Sequence, residues 1–458
     1  MKTHFLIVLL FIIQTTTAQI FNPTPQLIDD DARVGTFAVG DFNNDGKQDI
    51  VLATSQLLVW YENDGQGNFG APVVIDTDPG QSFNINATDL EQDGKIDILI
   101  SSFGHDKLYF YRNLGGGNFA PRVVLTENLD RTRSAEAADL NGNGFLDLVI
   151  GITNSVGLYW MEHLDGQGNF ALPTPISTTL AQARTQKVGD INGNGHLDVL
   201  SNSGGSTLLS WFENDGQGNF TAQHVVENSG LYHINLFLID MDNDGDLDIA
   251  SYSSDGVFWY ENLDGLGNFG PKQTINPTTD PEIDYASLFP IDIDNNGTMD
   301  VVYFSTVNRG INYQINDGAG NFSPPIFVEP PTTGLLNFGG NFPIDIDGDG
   351  DIDLINTVFQ GAVNPFIIWW TENQTILSAQ DMVFNGLTIT PNPVDNLLTI
   401  KSKTPIKTVT FYQVEGKTLK TIESGFEAID VSFLRAGVYF VLIESIEGAS
   451  VVKTVIKK

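Results

Sequence analysis

The nine residues DMDNDGDLD, Asp240 to Asp248, put a carboxylate at every odd position and a glycine at position six. The same phrase returns six more times: DFNNDGKQD (Asp41 to Asp49), DLEQDGKID (Asp89 to Asp97), DLNGNGFLD (Asp139 to Asp147), DINGNGHLD (Asp190 to Asp198), DIDNNGTMD (Asp292 to Asp300) and DIDGDGDID (Asp345 to Asp353). Successive starts lie 48, 50, 51, 50, 52 and 53 residues apart. A fixed period of this length over many copies describes one supersecondary unit repeated along the chain.

A hard cation takes several oxygens, and a sharply turning loop offers them from alternate residues. In the first copy Asp41, Asn43, Asp45 and Asp49 supply side-chain oxygens, and Lys47 at position seven its backbone carbonyl. The second, third and fourth copies offer Asp89, Glu91, Asp93, Lys95 and Asp97; Asp139, Asn141, Asn143, Phe145 and Asp147; and Asp190, Asn192, Asn194, His196 and Asp198. The last three offer Asp240, Asp242, Asp244, Asp246 and Asp248; Asp292, Asp294, Asn296, Thr298 and Asp300; and Asp345, Asp347, Asp349, Asp351 and Asp353. Calcium is the expected cofactor, up to seven ions. Position six is Gly in every copy, where the backbone must bend in a way a Cβ resists. An EF-hand is excluded, because position twelve is never Glu and the flanks are strand-like. Solvated hairpin turns are the plain alternative, since Asn, Asp and Gly are ordinary turn residues; recurrence at seven places speaks against it. The third and fourth loops carry two carboxylates each and the fifth and seventh carry five, so missing metal is expected first at the third and fourth. The longer Glu91 puts the geometry of the second loop in question.

The net charge is −35, from 57 Asp and Glu against 22 Lys and Arg. Of the 49 acids in residues 19 to 376, 24 sit in the loops, so about half the acidity belongs to candidate metal chemistry. The remaining surface is acidic and repels nucleic acid and anionic membranes. Met1, Lys2, the apolar run Phe5 to Ile13 and Thr16, Thr17, Ala18 read as a signal peptide over residues 1 to 18, too short in its apolar core to span a bilayer. An exported chain with no Cys has no disulfide to staple it, which leaves calcium as the candidate staple.

A second phrase follows each loop: WYENDGQGNFGAP from Trp60, FYRNLGGGNFAP from Phe110, WMEHLDGQGNFALP from Trp160, WFENDGQGNF from Trp211, WYENLDGLGNFGP from Trp259 and YQINDGAGNFSPP from Tyr313. Each unit reads as strand, loop, strand, turn, aromatic strand, Gly-rich hairpin, strand, which makes a four-stranded propeller blade. The acidic loops and the Phe-Gly-Ala-Pro of residues 69 to 72 resemble the FG-GAP (VCBS-type) repeats of integrin α-subunit propellers and of exported bacterial proteins. The resemblance implies an all-β, seven-bladed calcium-binding β-propeller over residues 19 to 376. After Trp370 and Asn373 the seventh unit lacks its hairpin and last strand, whereas residues 20 to 28, IFNPTPQLI, align with NFGAPVVI at 68 to 75. The N-terminal strand is therefore expected to complete the last blade and remove an exposed edge. Gly65, Gly67 and Gly70 satisfy a dinucleotide-binding spacing, but they lie between strands with no helix to follow. The ladder Trp60, Trp160, Trp211, Trp259 and Trp370 reads as packing between blades ahead of sugar stacking.

Past residue 376 the repeat ends and the charge becomes balanced, with nine bases against eight acids over 377 to 458. Short alternating strands there describe a small antiparallel β-sandwich. Pro391, Asn392 and Pro393, then Glu415, Gly416 and Lys417, then Leu434, Gly437, Val438 and Tyr439, and the Lys-rich end resemble the C-terminal sorting domain of type IX secretion in Bacteroidetes. Thr390 stands where that family usually has Tyr, and an ordinary adhesion module is the alternative. The resemblance implies recognition by the outer-membrane machinery, removal of the domain, and a propeller that is secreted or kept at the cell surface.

By the same resemblance, the face opposite the acidic loops carries the variable connections, where function tends to lie. Arg33 and Arg131 lie eight residues before their loops, and Arg133 and Arg184 six. His105, Lys107 and Arg309 fall on other connections, with Tyr232, His233 and Tyr285 nearby. The set points to an anionic ligand such as a uronate or sulfated glycan; arginines paired with Asp29, Asp31, Asp130 and Glu136 are the alternative. A non-catalytic binding module, an adhesin or glycan binder, is expected first. A polysaccharide lyase using Arg with a His or Tyr base is the second reading. The even repeat length favours binding, because it leaves no insertion for a lid.

Overall fold

The computed structural model describes residues 20–22, 25–32, 35–126, 129, 131–154, 156–204, 208–230, 233–253, 255–277, 288–305, 310–328, 337–359, 366–374, 388–390, 394, 396–402, 405–413, 418–435, 437–446 and 450–458. The expected signal peptide lies outside them, as do Arg33, Tyr232, Tyr285 and Arg309. So do Pro391 to Pro393 and Glu415 to Lys417.

The chain divides into two compact units at Gln374 and Thr375. In the first unit each repeat folds into one antiparallel four-stranded sheet. The first sheet runs Gly35–Gly40, Asp49–Thr54, Leu58–Tyr61 and Val73–Asp76, and the second Ser82–Thr88, Asp97–Ser102, Lys107–Tyr111 and Val123–Thr126. The third runs Thr132–Ala138, Asp147–Ile152, Val156–Met161 and Thr174–Ala181; the fourth Ala183–Gly189, Asp198–Ser203, Leu209–Asn214 and Phe220–Glu227. The fifth is Asn235–Ile239, Asp248–Ser253, Gly256–Tyr260 and Gln273–Pro277; the sixth Leu288–Ile291, Asp300–Ser305, Gly310–Gln314 and Ile326–Val328. The seventh draws Asn337–Ile344, Asp353–Phe359 and Phe366–Thr371 from the last repeat and its fourth strand, Gln26–Ala32, from the other end of the unit.

That strand runs antiparallel to Phe366–Thr371, with Gln26 opposite Trp370 and Leu27 opposite Trp369. Just before it, Phe21 bridges Asn373 as Phe69 bridges Asn63 and Phe269 bridges Asn262 in complete repeats. The pairing reaches Ala32, four residues beyond the stretch that the alignment with 68 to 75 marks out.

The strand patterns follow from what covers them. Asp49–Thr54 and Asp97–Ser102 are buried at every residue, because each second strand has a neighbouring sheet on both faces, whereas Val73 and Val74 on a fourth strand are exposed. Apolar cores form between consecutive sheets: Val51 and Trp60 pack with Ile98 and Tyr109, and Leu200 and Trp211 with Ile249 and Phe258. Another such core joins Ile50 and Tyr61 of the first sheet to Ile355, Ile368 and Trp370 of the seventh. Each first strand lies beside the next sheet's first strand, and Asn337–Ile344 lies beside Gly35–Gly40.

The second unit has a three-stranded sheet of Thr388–Thr390, Leu397–Lys401 and Ile429–Asp430, and a four-stranded sheet of Thr418–Ile422, Ile406–Gln413, Gly437–Ser445 and Ser450–Lys457. Leu398, Ile400, Val409, Phe411, Val441 and Val455 share one core with Leu434 and Tyr439.

Candidate functional site

Each acidic loop joins the first strand of a sheet to the second, and its ninth residue is the first residue of that second strand. That Asp is fully buried in every copy, from Asp49 to Asp353. In six copies one oxygen accepts the N–H of loop position two, as with Leu90 to Asp97 at 3.1 Å and Met241 to Asp248 at 2.9 Å, whereas Asp49 Oδ2 is buried with no donor facing it. The other accepts the N–H of the residue that precedes the hairpin: Asn63 to Asp49 at 2.8 Å, Asn262 to Asp248 at 2.8 Å, Asn373 to Asp353 at 2.7 Å. Position one caps the turn, its Oδ2 accepting the N–H of the position-six glycine, 2.9 Å for Gly46 and 2.8 Å for Gly297. The glycines need their freedom for conformation, since Gly46 and Gly350 have φ of 85° and 98° and nothing stands within 4 Å of a Cβ added at Gly46.

In the fifth, sixth and seventh loops, oxygens from positions one, three and nine converge: Asp240, Asp242 and Asp248; Asp292, Asp294 and Asp300; Asp345, Asp347 and Asp353, each trio within 4.8 Å. Asp240 Oδ1, Asp242 Oδ1 and Asp351 Oδ1 are buried with no donor facing them. Converging carboxylates with orphaned acceptors fit a hard divalent cation. Burial pushes Asp49, Asp97, Asp147 and Asp198 up to about 6, against the pull of their backbone N–H bonds. Asp248, Asp300 and Asp353 go to about 7, again chiefly through burial, with neighbouring carboxylates adding to the rise. The second loop differs in that Arg112 is paired with Glu91; its Lys95 Nζ, 2.6 Å from Asp93 Oδ2, repeats Lys47 on Asp45 at 3.2 Å in the first.

The residue before each hairpin also stitches sheets together. Asn113 Nδ2 donates to Ile96 O of its own loop and to Phe42 O of the preceding sheet, both at 2.9 Å. Asn214, Asn262 and Asn316 repeat the arrangement, and Asn63 donates to Ile346 O of the seventh sheet at 2.8 Å. His163 holds this place in the third sheet and bonds locally, Nδ1 to Leu146 O and Nε2 to the Gly168 N–H. The Trp ladder packs between sheets: Trp60 fills the space where Gly117 lacks a side chain, Trp160 lies on Gly218, and Trp370 on Gly67. These rings are buried, which excludes sugar stacking on them, and of the dinucleotide-like glycines Gly67 serves this packing while Gly65 lies against the Lys47 side chain.

Of the ten residues expected at the ligand face, the structure brings together Arg131 and Arg133. The Arg133 guanidinium stacks 4.0 Å from the centre of the Phe83 ring, and that of Arg131 4.8 Å from Phe103. The two rings meet edge-on at 4.9 Å, and Phe83 is 41% exposed. The Arg131 N–H donates to Asp106 Oδ1 at 3.1 Å, so the neighbouring connection, including His105, borders the patch. His105 Nδ1 is 3.0 Å from Tyr109 Oη, and its Nε2 3.5 Å from Asp78 Oδ1. Arg184 lies against Gly204 of its own sheet, with Nε buried. His233 must be removed from the set: it is 2% exposed, bonded to Ser251 Oγ at 3.1 Å, and burial pushes its pKa down to about 4. Charge alone does not single out Phe83 and Phe103. The signal was positional, because Phe83 stands six residues before its loop, as Arg133 and Arg184 do.

Sheets, loops and stitches together define an all-β repeat protein built on acidic turns. The chain carries FG-GAP-like repeats, matched at residues 41–100, 89–150, 190–251 and 240–303, and ends in a secretion system C-terminal sorting domain at 388–458. The sorting domain marks the protein for export through the type IX machinery, to the cell surface or the medium. No curated protein matches the chain. Among solved structures, an Agrocybe aegerita lectin that recognises non-reducing terminal N-acetylglucosamine aligns with a TM-score of 0.51 and 21% identity, over 65% of this chain and 81% of the lectin. The extracellular domain of the hybrid two-component system BT4673 of B. thetaiotaomicron aligns over 95% of this chain and 58% of its own, at 9% identity and a TM-score of 0.44.

Proposed function

We propose that the repeat unit is a closed, seven-bladed, calcium-stapled β-propeller that acts outside the cell as a binding module for an acidic glycan. Closure is supported by the Asn63 to Ile346 hydrogen bond and by the Trp370 Nε1 to Gly67 O bond of 3.0 Å, which repeat between the first and last sheets what joins the others. Calcium is supported by the three converging carboxylate trios. Residues 1–18 serve as the signal peptide that brings the chain to the second export step. The lectin shares the fold, and its sugar is its own; the ligand class assigned here rests on the patch.

The observation that carries the assignment is the Arg133–Phe83–Phe103–Arg131 stack. A guanidinium meets carboxylate or sulfate oxygens through its in-plane N–H groups, a direction that stacking on a ring does not block, while an exposed ring gives a sugar face an apolar platform. A glycan array probed in calcium should show retention of uronate or sulfated oligosaccharides. Arg131→Ala with Arg133→Ala should abolish that retention and its salt dependence. Unaltered binding by the double variant would remove the patch from the function.

A further inference from the structure

In three loops the residue at position three meets a glutamate that stands just before the hairpin asparagine or histidine. Asn43 Nδ2 donates to Glu62 at 3.2 Å, Asn141 to Glu162 at 3.1 Å and Asn192 to Glu213 at 3.3 Å. The acid-rich fifth and seventh repeats keep that glutamate, as Glu261 and Glu372, beside Asp242 and Asp347. The second repeat inverts the pair: position three is Glu91 and the facing residue is Arg112. Their side chains are in direct contact, with Glu91 only 9% exposed, and Arg112 also donates to Gln167 O of the next hairpin at 3.3 Å. Position seven adds a second cation, Lys95 on Asp93 at 2.6 Å, as Lys47 does on Asp45 at 3.2 Å in the first loop, so the Arg112–Glu91 pair is what sets the second loop apart. The two side-chain acids that should ligate at positions three and five are thus engaged by the chain's own positive groups, and a divalent ion placed among them would meet two like charges.

We propose that the second loop is neutralised from within by Arg112 and Lys95 and takes no calcium. The inference rests on calcium filling the acid-rich loops, and it makes the second repeat metal-independent in spite of its four carboxylates. Glu91 then serves as an internal ion-pair partner that holds the loop in the shape the metal gives elsewhere.

Calcium-equilibrated full chain, counted by native mass spectrometry, tests this directly. Glu91→Gln should leave the ion count unchanged and lower the melting temperature by the same amount in calcium and in chelator. Loss of one ion, or a drop seen in calcium only, would overturn the proposal. Should Glu91→Gln fail to fold, the triple variant Glu91→Asp, Lys95→Asp, Arg112→Glu, which rebuilds the acid set of the fifth loop, provides the second arm. It should bind one ion more than the parent, and an unchanged count would overturn the proposal. A parent that binds no calcium at all would refute the calcium reading itself, an outcome distinct from either result.

Discussion

A fully buried aspartate that accepts two backbone hydrogen bonds is under opposing pressures, and in the fifth to seventh loops burial prevails, holding Asp248, Asp300 and Asp353 at about 7. In the unfolded chain the same groups titrate near 4, so without metal the folded state binds more protons across the interval between. Stability from this source is present below the unfolded value and is lost as pH rises through the folded one. Chelated protein should therefore melt lower at about pH 8 than at about pH 5, since a tenfold difference in proton affinity between folded and unfolded chain is worth about 1.4 kcal/mol per group. On the proposed calcium reading the ion takes the place of the protons and should flatten or reverse that slope. A chelated sample that melts higher at the alkaline end would contradict the assignment. Substitution separates the loops further. Asp248→Asn should lower the melting temperature more in calcium than in chelator, because the fifth loop has its converging trio, whereas Asp147→Asn in the two-carboxylate third loop should cost about the same in both.

Within a blade, the hairpin glycines divide by what they make room for. Gly46 has open space and needs only its φ of 85°, while Gly117 combines a φ of 71° with the Trp60 ring against the place of a Cβ. Gly46→Ala should cost about 1 kcal/mol. Gly117→Ala adds overpacking to the same backbone strain and should cost about 2 to 4 kcal/mol. Equal losses in urea titrations would show that the Trp60 contact is soft. Such packing was legible in the sequence because the period fixes which Trp faces which hairpin, and the four-strand unit was legible because a loop and an aromatic phrase mark two of its three turns. The cation–aromatic patch was not, since it joins Phe83 and Phe103 to arginines of the next repeat, and a contact across repeats leaves no local pattern. The Glu91–Arg112 pair was half visible: Glu91 stood out at position three, but its partner lies 21 residues on, across a strand and a turn. His233 misled because position alone placed it among the connections, while Phe258 and Tyr260 enclose it.

At the scale of the molecule the decisive feature is that the seventh sheet is assembled from both ends of the repeat unit. Phe366–Thr371 carries Trp369 and Trp370 into cores shared with the sixth and first sheets, and its free edge is covered by Gln26–Ala32. Without that cover the strand would present unpaired N–H and C=O groups beside apolar side chains, a template for pairing with another chain. Phe21 adds an anchor, fully buried and edge-on to Tyr313 at 5.6 Å. Phe21→Ala should therefore cost about 3 to 5 kcal/mol through the cavity it leaves, with the parent's oligomeric state retained. Deletion of residues 20 to 32 should go further and give larger oligomers or aggregate than the parent in light scattering, in calcium as well as in chelator, because no metal replaces a missing strand. The two variants test different things. A loss of stability in Phe21→Ala with a deletion variant that scatters light as the parent does would mean that the N-terminal segment packs on the seventh sheet without being needed to cover its edge.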